Sequence, residues 1–279
     1  MILICDCGST KAEWTLLDGN DVAKRFITNG FNPNFTDNLT MNIIIGEAIN
    51  SIDNQNVSSV YFYGSGCGSD GNQLKIKLIF SKLCPQAKAE VYPDTLAACH
   101  ALFGKNPGVA CILGTGSNAC VYDGENITQS VASLGFMLGD EGSGCHIGKR
   151  IVHDYFLGIM PEDLRAKFDE KYHLNRDAFL KRVYQGEQPS RYLAEFTMFA
   201  MEYIENQYIK NIVGECFEEF MNVEMRLDAS LHDIAFVGSV AFIFKDILLQ
   251  VLENHNIKCS KIIKSPMDGL IEYYQNVIA

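Results

Sequence analysis

Two stretches of the chain repeat one pattern: an apolar run, a turn of small residues, a second apolar run and an Asp-Gly turn. The apolar runs are residues 2–5 and 12–17 in the first copy, and residues 109–113 and 119–122 in the second. Short apolar runs between such turns are typical of strands joined in hairpins. The pattern therefore predicts two similar sheets, about one domain length apart in the chain.

Alternating strands and helices fill the rest of each half, which indicates an α/β fold with helices covering the sheets. Further strands are predicted at residues 22–27, 60–63, 89–92, 234–237 and 258–263, and helices at residues 39–52 (capped by Thr36 or Asp37), 72–83, 94–103 and 267–277. Apolar stripes at residues 181–184 and 192–227 are predicted to face the core.

The turn cluster at residues 104–108 is the strongest break in the chain and predicts a domain boundary. We expect a first domain at residues 1–104 and a second at residues 105–279. The final predicted helix, residues 267–277, is an element that can pack back on the first domain.

The chain is acidic: 23 Lys and Arg against 34 Asp and Glu give a net charge of −11. Such a surplus repels phosphate backbones, which argues against nucleic acid as a partner.

The ten cysteines include no Cys-x-x-Cys pair, so we expect reduced thiols and no structural zinc, with Cys67 and Cys145 the least core-like. No basic leader precedes the first strand, and no apolar run reaches about 18 residues, which predicts a cytoplasmic protein without a membrane span.

Two of the small-residue turns are candidate phosphate-binding loops. They are Asp6-Cys7-Gly8-Ser9-Thr10-Lys11 and Gly114-Thr115-Gly116-Ser117-Asn118. Small residues after a buried strand let backbone N–H groups approach a phosphate, although each stretch alone is also an ordinary turn. Two such loops on two domains could hold one polyphosphate between them. Asp6 could hold Mg²⁺ through water or could cap its own turn.

The other nucleotide motifs do not fit this chain. Residues 142–150 resemble a P-loop but lack its first glycine and the Ser or Thr that follows Lys149. No Gly-x-Gly-x-x-Gly follows the first strand, which argues against a dinucleotide enzyme.

Three further segments carry polar side chains suited to a sugar. Asp94 follows a predicted strand and begins a helix, where a carboxylate can accept a hydroxyl proton or simply cap the helix. Asp140 and Glu141 lie between glycines ahead of a helix, where an acidic helix start is the alternative. Asn32 and Asn34 flank a proline in a turn that suits hydroxyl recognition and is equally ordinary as a loop.

Taken together, these residues resemble the N-acetylglucosamine kinase branch of the BadF/BadG/BcrA/BcrD ATPase family. The most specific part is residues 114–118 followed by Leu138-Gly139-Asp140-Glu141-Gly142-Ser143. The resemblance covers nearly the whole chain and implies two actin-like (ribonuclease H-like) domains around a nucleotide and sugar cleft. The chain departs from the animal enzymes at Leu134, where they carry an aromatic residue beside the acetyl group. It also lacks a Gly-Gly-Ala-type adenosine loop, and residues 266–270 stand in that place.

The resemblance also implies roles for individual residues. The ATP contacts are Gly8, Ser9, Thr10, Lys11, Gly114, Thr115, Gly116 and Ser117 for the phosphates and Gly238 and Ser239 for the adenosine. The sugar contacts are Asn32, Asp94, Gly116, Ser117 and Asp140. Asp94 matches the catalytic base, and Asp6 matches the residue that assists Mg²⁺ through water.

The leading hypothesis is therefore an ATP-dependent kinase that phosphorylates an amino sugar, with N-acetylglucosamine first and glucosamine or N-acetylmuramic acid next. Its partners would be ATP, Mg²⁺ and the sugar, with no nucleic acid and no membrane, and a homodimer remains open. One alternative is an ATPase activator of a radical dehydratase or reductase, which would hold an iron–sulfur cluster. The other is a catalytically silent sugar or nucleotide sensor on the same scaffold.

Overall fold

Each half of the chain builds a five-stranded mixed sheet of the same topology. The computed structural model describes residues 1–52, 56–224, 226–227 and 233–278. Contacts between residues divide the chain into two units, Met1–Asn106 with Pro266–Ala279, and Pro107–Ser265. The two units are called the first and the second unit below.

The first unit begins with an antiparallel meander and continues with alternating helices and strands. Its elements are β1 (Ile2–Cys7), β2 (Lys11–Asp18), β3 (Asp21–Asn29), α1 (Asn38–Asn50), β4 (Ser59–Gly64), α2 (Asp70–Leu83), β5 (Lys88–Pro93) and α3 (Asp94–Phe103). The strand order is β3-β2-β1-β4-β5, with β4 and β5 parallel to β1. Asp37 caps α1 by accepting from the backbone N–H of Thr40, as one of the two predicted caps.

The second unit repeats this order and adds a group of helices. Its elements are β6 (Gly108–Leu113), β7 (Ser117–Tyr122), β8 (Ile127–Ser130), α4 (Gly135–Leu138), α5 (Gly144–Leu157), α6 (Glu162–Tyr172), α7 (Arg176–Gln185), α8 (Pro189–Glu195), α9 (Thr197–Glu202), α10 (Gln207–Glu224), β9 (Ile234–Val237), α11 (Ser239–Ile243), α12 (Lys245–Asn254) and β10 (Cys259–Ile263). The strand order is β10-β9-β6-β7-β8, with β9 and β10 parallel to β6. The predicted α/β fold of two similar sheets is confirmed.

The last helix, α13 (Met267–Ile278), belongs to the first unit and packs on α3. Gly269 makes this approach possible, because a Cβ there would lie 2.3 Å from the carbonyl oxygen of Ala101. The hydroxyl of Tyr274 lies 2.6 Å from that of Tyr63 on β4, and the ring of Tyr274 stacks on Tyr61. Aromatic packing and a buried hydroxyl pair therefore fix α13 to the sheet.

Each unit has its own apolar core. In the first unit Trp14, Phe31, Phe62 and Phe80 are fully buried in one cluster with apolar residues of α1 and α2, and truncating any one of them to alanine should cost about 3–5 kcal/mol. In the second unit the predicted stripe at residues 192–227 does supply part of the core, from α8, α9 and α10. These core residues include Leu193, Phe196, Phe199, Ile209, Phe217 and Phe220.

The predicted core stripe at residues 181–184 is wrong. Helix α7 buries none of its residues, and Tyr184 is 75% exposed. Four residues make about one helical turn, which is too short to show whether an apolar pair faces a core or solvent.

The cysteines also differ in part from expectation. Cys67 and Cys145 are both fully buried, whereas Cys259 is the half-exposed one, because it lies on the edge strand β10. Within the described ranges, no group of three or more His, Cys, Asp or Glu side chains could hold a metal ion. No helix among those residues has the length and apolar character needed to cross a membrane.

Candidate active site

The carboxyl ends of β1, β4 and β5 meet at one edge of the first sheet. These strands are parallel and in register, with Cys7 opposite Gly64 and Gly64 opposite Pro93. Asp6 is the last residue but one of β1, and Asp94 directly follows β5. The topology thus brings together two of the predicted site residues that are far apart in sequence.

The carboxylate of Asp94 acts electrostatically on that of Asp6. Desolvation and the nearby charge of Asp94 raise the pKa of Asp6 to about 7, with a smaller contribution from Glu13 and an opposing one from Lys11. Desolvation also raises the pKa of Asp94, while a hydrogen bond from the backbone N–H of Thr95 acts in the opposite direction. This edge of the sheet is therefore an environment in which a positive charge would be stabilised.

Asp94 is not the cap of its helix. The residue in the N-cap position of α3 is Pro93, which makes no side-chain capping bond. Asp94 is the first residue inside the helix, and its Oδ1 accepts from the N–H of Thr95 at 3.0 Å. Within the described part of the chain, the other carboxylate oxygen makes no hydrogen bond, so the side chain retains acceptor capacity.

The candidate loop from Gly8 to Lys11 is a tight turn between β1 and β2. The N–H of Gly8 donates to the carbonyl of Lys11 at 3.0 Å, and the N–H of Gly30 donates to that of Thr10 at 3.1 Å. Gly30 passes so close that a Cβ would lie 2.0 Å from the carbonyl oxygen of Gly8. Ser9 lies within this turn. Gly30 was not among the predicted site residues, although it supports the loop.

Asn32 lies at the same edge of the first sheet. Its Oδ1 accepts from the N–H of Asn34 at 3.0 Å, and its Nδ2 donates to Ser65 Oγ at 3.4 Å. Gly66, with a φ of 78°, approaches so closely that a Cβ would lie 2.2 Å from Asn32 Oδ1. Sequence reasoning missed Ser65 and Gly66, although the signal was present as a run of small residues directly after β4.

In the second unit, the turn from Gly114 to Gly116 joins β6 to β7 and is bonded to the start of α5. Gly114 donates its N–H to the carbonyl of Gly116 at 2.9 Å, and Gly144 donates to the carbonyl of Gly114 at 2.8 Å. Cys145 donates to Thr115 at 3.1 Å. The turn is therefore held from both sides.

Gly238 lies against this turn from β9. Its φ is +131°, and a Cβ would lie 2.1 Å from the carbonyl oxygen of Leu113. Both the backbone conformation and the space therefore require glycine here. The structure thus brings Gly238 and its neighbour Ser239, predicted to contact adenosine, next to Gly114 of the predicted phosphate loop.

Asp140 reaches the same turn from the segment after α4. Its Oδ1 accepts from the N–H of Ser117 at 3.2 Å, and a Cβ on Gly116 would lie 2.9 Å from that oxygen. Asp140 has a φ of 60°, a left-handed conformation that costs free energy in a residue other than glycine. Such strain is common where a side chain must be held in one place for function.

Lys149 on α5 holds the segment that carries Asp140. Its Nζ donates to the carbonyl of Phe136 at 2.6 Å. Desolvation raises the pKa of Asp140, whereas the Ser117 N–H and the charge of Lys149 oppose that rise. Sequence reasoning missed Lys149 as a support for Asp140, because the two residues are related only through the fold.

Three buried polar atoms, on Ser117 and on the residues that follow Ser117 and Asp140 in the chain, have no hydrogen-bond partner among the described residues. They are Ser117 Oγ, Asn118 Oδ1 and Glu141 Oε2. Ser117 is only 8% exposed. Since buried polar groups are nearly always hydrogen-bonded in folded proteins, the unpaired hydroxyl of Ser117 beside Asp140 indicates a site for a polar ligand.

Among known proteins, the chain is similar to a structure from Porphyromonas gingivalis described as a candidate N-acetylglucosamine kinase. The two share 34% identity over 99% of both chains, with a TM-score of 0.91. The chain belongs to this family of actin-like sugar kinases. It is therefore an ATP-dependent enzyme that phosphorylates a sugar.

More distant structures share the fold. A candidate N-acetylglucosamine kinase from Chromobacterium violaceum is 13% identical over 98% of both chains, with a TM-score of 0.74. A ROK-family glucokinase from Streptomyces griseus, solved with glucose and AMPPNP, is 13% identical over 97% of both chains, with a TM-score of 0.59. No protein-family model and no curated protein matches the chain.

Proposed function

We propose that this sugar kinase phosphorylates an amino sugar, with N-acetylglucosamine as its leading acceptor. We also propose that it belongs to the N-acetylglucosamine kinase branch of the BadF/BadG/BcrA/BcrD ATPase family. The observation that carries the proposal is the 34% identity, over 99% of both chains, to the P. gingivalis protein described as a candidate N-acetylglucosamine kinase. The motifs around Asp94 and Asp140 support it.

Asp94 is the general base in this proposal. The oxygen of the sugar hydroxyl bonds to the γ-phosphorus of ATP, the bond from that phosphorus to the bridging oxygen breaks, and the hydroxyl proton passes to the Asp94 carboxylate. The raised pKa of Asp94 supports this role, since a base works best when its pKa lies closer to the working pH.

Asn32 and Asp140 are the main proposed sugar contacts, and Gly116 and Ser117 are the others. The buried, unpaired hydroxyl of Ser117 next to Asp140 suits a sugar hydroxyl as its missing partner.

Just before Asp140, the side chains of Leu134, Met137 and Leu138 are 60–75% exposed. We propose that this apolar segment contacts the methyl group of the N-acetyl substituent, in place of the aromatic of the animal enzymes.

The remaining predicted residues are proposed nucleotide and metal contacts. The phosphate contacts are Gly8, Ser9, Thr10, Lys11, Gly114, Thr115, Gly116 and Ser117, and the adenosine contacts are Gly238 and Ser239. The acidic edge formed by Asp6 and Asp94 suits Mg²⁺, because a cation would relieve the repulsion that raises the pKa of Asp6. We propose that Asp6 holds Mg²⁺ through water. When bound, this ion supplies charge neutralisation of the phosphates.

An ADP-release assay across a panel of sugars tests the proposal. The panel contains N-acetylglucosamine, glucosamine, N-acetylmuramic acid, N-acetylmannosamine and glucose. We expect N-acetylglucosamine to have the highest kcat/KM, and a fastest rate with glucosamine or N-acetylmuramic acid would select one of the closer alternatives. Equal kcat/KM for glucose and N-acetylglucosamine would refute the amino-sugar assignment.

A further inference from the structure

A cavity of about 120 Å³ lies within the second unit, beside the turn that joins β6 to β7. It is lined by Gly114, Thr115, Gly144, Ala194, Thr197, Met198, Met201, Ser239, Val240, Ile243 and Phe244. Thr115, Thr197 and Ser239 are the polar side chains in this set, and the others are glycine or apolar. Thr115 and Ser239 are also proposed nucleotide contacts, which makes the cavity a candidate site for the nucleoside.

Two of the polar side chains lie at the strand ends. Thr115 follows β6 and Ser239 follows β9, and these parallel strands pair with Ile112 opposite Val237. Gly238 lies directly against the turn at Gly114. The hydroxyls of Thr115 and Ser239 are therefore placed beside the candidate phosphate loop, where they suit the ribose and the phosphates rather than a base.

The remaining wall comes largely from α9 and α11, and its polar side chain, Thr197, has no free donor for a base. Thr197 donates its hydroxyl hydrogen to the carbonyl of Gly144 at 2.6 Å, so that donor is already used. Met198 and Met201 are 53% and 43% exposed and flank the cavity with flexible thioethers. Such side chains adapt to rings of different shape.

Bases are distinguished by hydrogen bonds to their edges. A site built to hydrogen-bond one group rejects the wrong ligand by about 10⁴–10⁵-fold, whereas an apolar pocket discriminates by only about 10–200-fold. Among the described residues that line this cavity, no carboxylate, amide or basic side chain is present. The cavity therefore belongs to the second kind of site.

We propose that this kinase also uses GTP and ITP as phosphoryl donors, with efficiencies within about a hundredfold of that for ATP. The inference rests on the nucleotide roles proposed above for Gly114, Thr115 and Ser239. The step is the same with each donor. The sugar oxygen bonds to the γ-phosphorus, the bridging P–O bond breaks, the nucleoside diphosphate leaves, and Asp94 takes the hydroxyl proton. UTP and CTP follow at lower efficiency, because a single ring makes fewer contacts with the apolar wall.

Two measurements test the inference. Initial rates of sugar phosphate formation give kcat/KM for ATP, GTP and ITP, and calorimetry gives the Kd of ADP and GDP. We expect GTP to be within about a hundredfold of ATP in kcat/KM, and GDP within about a hundredfold of ADP in Kd. A larger preference for adenine in the Kd values, or no binding of either nucleotide, would overturn the inference. If no sugar is phosphorylated with any donor, the proposed acceptor fails, and the two Kd values still decide the inference.

A cavity-filling variant tests whether both nucleotides use this cavity. Met198→Trp places a large ring in the apolar wall, and Leu249→Trp on α12 is the matched control, because Leu249 is 43% exposed and does not line the cavity. We expect Met198→Trp to raise the Kd of ADP and of GDP by the same factor, about tenfold or more, and Leu249→Trp to change neither. Melting temperatures verify that both variants are folded. A rise for ADP alone, or for neither nucleotide, would overturn the inference.

Discussion

Replacing Asp94 by asparagine tests the proposed general base with the smallest change in shape. The Oδ1 atom of Asp94 accepts from the N–H of Thr95 at 3.0 Å, and the amide oxygen of asparagine can accept the same bond. The amide cannot take up the hydroxyl proton, however. We therefore expect kcat to fall by about 10²–10⁴-fold, the usual contribution of a positioned general base.

The same substitution should leave the fold almost unchanged. The N-cap of α3 is Pro93, so no capping side chain is lost. Removing a negative charge from the first turn of a helix costs about 0.3–1 kcal/mol. The repulsion between Asp94 and Asp6 disappears at the same time, which acts in the stabilising direction. The melting temperature should therefore fall by no more than about 2–4 °C.

Three measurements on Asp94→Asn separate catalysis from folding: kcat with the preferred sugar, the Kd of ADP, and the melting temperature. We expect the Kd of ADP to stay within about threefold of wild type, because Asp94 is not a proposed nucleotide contact. Glu90→Gln, in the preceding strand, is the matched control, because Glu90 pairs with Lys77 and Lys88 and has no proposed role in the reaction. A kcat within about fivefold of wild type would refute the assignment of Asp94 as the base.

Three further predictions concern the second unit and the core of the first. Gly116→Val should raise the KM for sugar and for ATP and lower kcat in a folded protein, because its Cβ would lie 2.9 Å from Asp140 Oδ1; unchanged kinetics would show that the loop is only a turn. Lys149→Met should raise the sugar KM about tenfold with a smaller change in kcat, and Lys149→Arg should have a sugar KM closer to that of wild type. Equal effects of both variants on kcat alone would refute a positioning role for Lys149. Burial lowers the pKa of His100, on α3, from 6.5 to about 4, so the unfolded chain binds a proton there that the folded chain does not, and the contribution of His100 to stability falls as pH drops from 6.5 towards 4. At about 1.4 kcal/mol per pH unit this contribution changes by about 3 kcal/mol, so the difference in unfolding free energy between wild type and His100→Gln should change by that amount between pH 6.5 and pH 4. A difference that is constant with pH would refute the assignment.

Local patterns predicted most of the secondary structure. The apolar run at residues 109–113 became a strand because Pro107-Gly108 and Gly114 limit it on each side, and the run at residues 234–237 ends at Gly238. The capping role of Asp37 was also readable, since its side chain acts on an N–H three residues away. The stripe at residues 181–184 failed because its burial depends on which helices lie nearby, and the sequence of one turn does not contain that information.

The candidate site was readable only where its residues follow a strand. Parallel pairing brings Asp6 close to Asp94 at one edge of the first sheet and, separately, Gly114 close to Gly238 in the second, which is why their position at strand ends was informative. Gly30 and Lys149 could not be found in this way. Each acts on a residue that is distant in sequence, through a close backbone approach in one case and a hydrogen bond to Phe136 in the other.

The two sheets share one topology but carry different chemistry at equivalent places. Strands β5 and β10 are the outer parallel strands of their sheets, and β5 is followed by Asp94 whereas β10 is followed by Lys264. The last residue but one of β1 is Asp6, and that of β6 is Ile112. The repeat in the sequence therefore duplicates the framework and its small-residue turn, while the acidic groups belong to the first unit. The second unit obtains its acid, Asp140, from a strained position after α4, which no property of the repeat predicts. This difference explains why the repeat predicts the fold, whereas the chemistry of each unit depends on residues that the two copies do not share.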